Sequence, residues 1–285
     1  MRALEETLQH IFPLDSASEE EWRARLAGQE NLTPMAVRLT ARLAGIGRGP
    51  LHPHQPLVAV FTAAHGIARK RPMPEPPAVY AGDWPVLRVD MGQNGGASGD
   101  ICRGPAMSIA TARQTVETGI SLADEWRAYD LFAIAGDSAG ALYAASAIAA
   151  RCLGEYKESD LPPGIEAALM TDILSAACDG KNGLDLLAAL GGFDLGGAAG
   201  LMLALAARHR PIVLSDFAAT AAALVAARLE PFIRDYLFAT AAICPLHQAA
   251  LTLLGAPVLF SGQAVGQALA ELIAASSLFI EAGHA

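Results

Sequence analysis

Short apolar runs, each closing on small or polar residues and separated by helix-length Ala-rich or amphipathic segments, constrain this chain more than any other feature. The runs are Leu57 to Thr62, Val86 to Val89, Leu131 to Ala135, Ile212 to Leu214 and Val258 to Phe260. Their alternation with helical stretches predicts a parallel sheet. The composition, 53% hydrophobic but only 6% aromatic, suits helix-on-sheet packing better than a β-sandwich. The fold class expected is α/β, a mostly parallel sheet flanked by helices.

Residues 16 to 44 read as helical. Ser16 and Ser18 precede the acidic Glu19, Glu20 and Glu21, apolar residues follow at helical spacing, and Pro34 opens a second helix. The Gly/Pro-dense stretch from Gly45 to Pro56 reads as a linker, so a helical segment 1–50 and an α/β domain 51–285 are expected. Arg69 to Pro85 is Pro-rich and reads as a surface loop, its Arg69-Lys70-Arg71 run solvated.

The net charge of −9 disfavours phosphate backbones and anionic lipid, so no nucleic-acid partner is expected. Cys102, Cys152, Cys178 and Cys244 form no CxxC pair, which suggests neither a zinc site nor a disulfide framework. Met1 to Asp15 lacks the basic-then-apolar pattern of an export signal, and a cytoplasmic location is expected. Leu190 to Ala207 has membrane length but contains Asp194 and several glycines, so a buried helix explains it more simply and no membrane partner is expected.

In open α/β sheets ligands sit beyond the carboxyl ends of the strands, which makes the run endings the candidate site. The sharpest motif there is Gly136-Asp137-Ser138-Ala139-Gly140, a G-x-S-x-G between strand and helix. With Asp216 and His247 following in order, Ser138 as nucleophile, His247 as base and Asp216 as orienter make a serine-esterase reading, although no His-Gly-Gly oxyanion motif precedes the turn. The nearest substitute is Asn94-Gly95-Gly96. Gly191-Gly192 and the Gly196-Gly197 to Gly200 stretch head an apolar helix, where backbone N–H groups could hold a phosphate or small residues could simply permit close packing. Gly262-Gln263-Ala264-Val265-Gly266 repeats the strand-to-glycine-to-helix design. His65 before Gly66 could bind a ligand or fix its own turn, and Cys244 with His247 makes a weak metal pair, so neither metal nor cofactor is expected.

Together these stretches resemble the nicotinate-nucleotide:dimethylbenzimidazole phosphoribosyltransferase (CobT) family. The resemblance is colinear through VAVFTAAHGIA (58–68), GPAMSIATARQTVETGISLA (104–123), YDLFAIAGDSAGALYAASAI (129–148), GGFDLGGAAGLMLALAARHRPIVLSDFAATAAALVA (191–226) and PLHQAALTLLGAPVLFSGQAVGQALAELIAAS (245–276). It implies a homodimer, its Rossmann-like sheet joined by a smaller helical domain from the N-terminal segment to which the C-terminal segment could add, that moves the phosphoribosyl group of nicotinate mononucleotide onto a benzimidazole nitrogen, using two glutamates. One position reads Asp137, a shorter carboxylate; the other, the general base, reads Gln263, which accepts no proton at neutral pH. The family's Ala-Asp-His-Gly reads Ala63-Ala64-His65-Gly66, and Glu166 to Ala177 has no Lys or Arg where a phosphate-binding lysine is expected. On this resemblance Asp137 and Gln263 are the candidate catalytic residues. His65, Gly66, Gly136, Ser138, Gly191, Gly192, Ser215, Asp216, His247 and Gly262 are the candidate binding residues for a small nucleotide or aromatic base. A catalytically lapsed paralogue that binds a ligand or a partner subunit stays open beside the enzyme.

Overall fold

The computed structural model describes all residues except 1, 2, 30, 70, 77, 93–95, 178–181, 260, 261, 263, 284 and 285. Five parallel strands form one sheet: β1 (Pro56–Thr62), β2 (Val86–Asp90), β3 (Leu131–Gly136), β4 (Ile212–Leu214) and β5 (Leu237–Ala239). They lie in the order β2-β1-β3-β4-β5, with Val60 of β1 opposite Arg88 on one side and Ala135 on the other. β3 is buried along its whole length, as a strand covered on both faces must be, while the edge strand β2 is largely exposed. The α/β fold class expected from the alternation is the one observed.

One strand departs from expectation. β5 is three residues long and follows directly on a 3-10 turn over Pro231–Tyr236, with no glycine or proline between them to mark it off as a run. The run expected at Val258 lies beside it as a single parallel bridge to Ala239, with Leu259 N–H donating to Ala239 O at 2.9 Å; Phe260 falls outside the described residues.

The lead-in folds as α1 (Ala3–Leu8), α2 (Ser16–Leu26) and α3 (Pro34–Gly47). Asp15 caps α2 by accepting from Ala17 N–H at 3.1 Å, and Thr33 caps α3 from Ala36 N–H at 3.1 Å with Pro34 at the first helical position. The linker expected from Gly45 begins inside α3: Gly45 and Gly47, packed against Leu14 and Leu51, are still helical, and Arg48 at φ 55° caps the helix. α3 also packs on α11 (Val265–Gly283), so the two ends of the chain meet. The Pro-rich segment is tied down near its end: Gly266 N–H donates to Tyr80 O at 3.0 Å, and Trp84 Nε1 donates to Gly266 O at 3.1 Å.

Helices α4 (Ile109–Glu125) and α8 (Phe193–Ala206) pack most intimately. Every residue of α8 but Phe193 is buried, and Gly196, Gly197 and Gly200 lie directly against Thr115, Val116 and Gly119 of α4. Thus the small residues of the expected phosphate cluster from Gly196 onward are spent on letting two backbones approach. Among the described residues no helix is long and apolar enough to cross a membrane.

A Cβ on Gly200 would overlap the carbonyl of Val116, which is backbone and cannot rotate away. Gly200→Val is therefore expected to lose about 1–3 kcal/mol or more of stability, read as a lowered urea midpoint.

Candidate functional site

The carboxyl ends of β1, β3 and β4 and the start of α8 converge on one buried cluster. β1 runs out into His65, β3 into Asp137 and Ser138, and β4 into Ser215 and Asp216. His65 Nε2 donates to both oxygens of Asp194 at 3.0 Å, with the His side chain 1% and the Asp side chain 0% exposed. Burial alone would lower the His65 pKa, but the Asp194 charge and hydrogen bond outweigh it and hold the imidazole above its ordinary value. Burial likewise opposes the Asp194 charge, yet His65, Ser138 and the Leu195 N–H keep its carboxyl below the usual range. Both shifts describe an imidazolium–carboxylate pair. Gly192 at the head of α8 faces the His65 ring, and any side chain there would displace it.

Ser138 belongs to this cluster: its Oγ accepts from Ala63 N–H at 2.9 Å, and its hydroxyl is one of the groups that favour the Asp194 charge. Asp137, one residue earlier, points elsewhere. It is one-third exposed and ion-paired with Arg88 of β2, and Thr62 Oγ1 holds its backbone carbonyl at 2.9 Å. Asp216 caps α9 (Phe217–Leu229) by accepting from Ala219 N–H, and its second oxygen takes Gly136 N–H, both at 2.7 Å. Burial pushes its carboxyl up to about 6 despite those donors. Ser215 Oγ is buried without a hydrogen-bond partner, a polar atom left for something outside the described residues to satisfy.

These positions do not form a Ser–His–Asp relay. His247 Nδ1 accepts from Ile243 N–H at 3.2 Å and its Nε2 meets Thr220 Oγ1 at 2.8 Å, so both ring nitrogens are engaged away from Ser138. The ring stacks on Phe217 at 4.6 Å between centroids, and burial pushes its pKa down to about 4. A neutral imidazole packed inside the core fixes α9 to α10 (Pro245–Leu254). Cys244 caps α10 through its Sγ, and no group of three metal-ligating side chains occurs among the described residues.

A family model described as phosphoribosyltransferase (DBI_PRT) matches residues 13–278. The chain belongs to the CobT family of phosphoribosyltransferases. The nicotinate-nucleotide–dimethylbenzimidazole phosphoribosyltransferase of Desulfotalea psychrophila is 33% identical across 87% of this chain and 84% of its own length. The Roseiflexus sp. (strain RS-1) protein of the same name is 30% identical across 97% and 93%. A crystal structure of the Thermus thermophilus protein of that name covers 94% of this chain and 96% of its own at a TM-score of 0.80, and at 23% identity it supports the fold.

On this CobT-family fold, the candidates His65, Gly66, Gly136, Ser138, Gly192, Ser215 and Asp216 lie along one edge of the sheet, the glycines packed against their neighbours. Gly191 ends α7 (Gly183–Leu190), and Gly262 reaches the edge through its carbonyl, which accepts from Ala241 N–H at 3.1 Å. Gln263, Asn94, Gly95, Lys70 and Cys178 lie outside the described residues. Reading the sequence for motifs passes over Asp194 and Arg88. Asp194 carried its own signal, since an acid at the head of an otherwise apolar helix must find a buried partner. Arg88, a cation within a short apolar run, carried no comparable one.

His65 stabilises fully below the ordinary histidine pKa of about 6.5 and loses that contribution as pH rises through its raised folded value. Asp194 stabilises fully above about 3.9 and loses that contribution as pH falls through its lowered value. The pair is thus strongest between about pH 4 and pH 6.5. Asp194→Asn is expected to cost about 3–5 kcal/mol in urea unfolding at pH 6, with a smaller gap from wild type at pH 9.

Proposed function

We propose that the protein transfers the phosphoribosyl group of nicotinate mononucleotide to a nitrogen of a benzimidazole-type base. Carrying this reading is the family match over residues 13–278, with curated relatives of that activity aligned along most of the chain. The acceptor nitrogen attacks the ribose C1′, the bond from C1′ to the pyridinium nitrogen breaks, and its electron pair neutralises the departing nicotinate. Positive charge builds on the ribose as that bond loosens, and a fixed carboxylate lowers the barrier. Asp137 supplies it at the carboxyl end of β3, within reach of solvent. Its partner Arg88 is exposed and can turn to the substrate phosphate, the role for which residues 166–177 offer no cation, leaving Asp137 to the sugar.

Gln263 stands where the family places its general base, and an amide there hydrogen-bonds the acceptor while water takes its proton. The same substitution favours a second reading, a lapsed paralogue that binds the nucleotide or base without turnover. A homodimer and a cytoplasmic location belong to the proposal in either form.

Mixing the protein with nicotinate mononucleotide and dimethylbenzimidazole is expected to release nicotinate, detected chromatographically, and Asp137→Asn to abolish the release. Gln263→Glu is expected to raise kcat by about 10²–10⁴. Ligand-dependent thermal stabilisation with no nicotinate from either the wild type or Gln263→Glu would select the binding module instead.

A further inference from the structure

The amino ends of β3 and β4, at the far end of the sheet from the candidate site, meet the last turns of α4 and α8 around a cavity of about 270 Å³. Its floor is aromatic. Phe132 is buried, Tyr129 stands edge-on to it with centroids 6.4 Å apart and planes at 76°, and Trp126 lines the same space. Its rim is cationic, with Arg127, Arg208 and Arg210 against one carboxylate, Asp124. Asp124 already holds Arg208 at 2.6 Å, whereas the guanidiniums of Arg127 and Arg210 have no ion pair or hydrogen bond among the described residues. Three guanidiniums on one small cavity run against the −9 charge of the chain.

The backbone here takes a costly shape. His209 adopts φ of 55°, the left-handed region that residues other than glycine seldom occupy, and its ring is pinned by Tyr236 Oη at 3.2 Å. That turn breaks the helical spacing between Arg208 and Arg210, and both side chains line the same cavity.

We propose that this cavity binds a monocyclic aromatic carboxylate. The planar fork of a guanidinium matches a carboxylate, and the ring faces of Trp126 and Tyr129 receive an aromatic ring. The volume accommodates one ring with a small anionic group and lies below the roughly 300–1,000 Å³ of pockets for larger ligands. Beyond the Arg208–Asp124 pair lies a second cavity of about 360 Å³, whose lining adds the carboxylate of Glu6 and offers Arg208 as its one arginine, so an anion is favoured on the aromatic side with its three arginines.

Isothermal titration of the full chain at low salt tests this, with benzoate and nicotinate as probes; benzamide controls for charge and cyclohexanecarboxylate for the ring. Benzoate is expected to bind at least tenfold more tightly than either control, and Arg127→Ala/Arg210→Ala to weaken it about tenfold or more with an unchanged melting temperature. Asp124→Asn, which frees Arg208, is expected to tighten binding about threefold or more. Nicotinate binding that follows benzoate through these variants makes the released product a source of the ligand, and nicotinate insensitive to them assigns the cavity to other aromatic acids. No benzoate binding, equal binding of either control, or binding indifferent to the arginine and aspartate variants overturns the proposal.

Discussion

The pairing of His65 with Asp194 is the interaction on which the candidate site rests. It joins the loop after β1 to the first turn of α8, two segments separated by well over a hundred residues of chain, with both side chains withdrawn from water. Taking two charges out of water is expensive, and the cost is offset only where geometry is good and the remaining acceptor sites are filled. Here both carboxylate oxygens face the imidazole, and the Leu195 N–H supplies a further donor. Ser138 takes the N–H of Ala63, two residues before His65, so the loop after β1 ties the end of β3 on one side to the head of α8 on the other.

That network requires α8 to lie deep in the protein, and the glycines of α8 make this possible. Gly200, with Gly119 of α4 opposite Gly197, allows the two helix backbones to touch, Gly196 makes room for the Thr115 side chain, and Gly192 leaves room for the imidazole. One run of small residues therefore serves two ends: its body sets the separation of two helices and its head fits around a charged pair.

Three carboxylates at this edge are separated in role by environment alone. Asp194 is wholly buried and held ionised by an imidazolium. Asp216 is buried with only backbone donors and has its pKa pushed up to about 6. Asp137 remains partly in solvent beside Arg88. Exposure and a movable cation suit Asp137 to meet a substrate, whereas the other two are committed to holding the strand ends.

Much of the architecture was readable in the sequence, because strand and helix periods are local properties of adjacent residues. Four of the five strands, the helix opened by Pro34 and the burial of the Leu190 to Ala207 stretch follow from apolar spacing, caps and the cost of exposing a glycine-rich helix. β5 did not, since Leu237 to Ala239 follow directly on the 3-10 turn Pro231–Tyr236 with no glycine or proline to set them off, and they owe their conformation to hydrogen bonds from β4 and residues 257–259. Ser138, Asp216 and His247 stand in the chain order of a hydrolase triad, yet order says nothing about which atoms meet. The fold sends Ser138 to the Ala63 amide, Asp216 to the amides of α9 and Gly136, and His247 to Thr220. What the chain determined by itself was the alternation of elements and the chemistry available at their ends. Which acid pairs with which base was decided by tertiary structure, because charge pairing acts through space between residues whose separation in sequence carries no record of their contact.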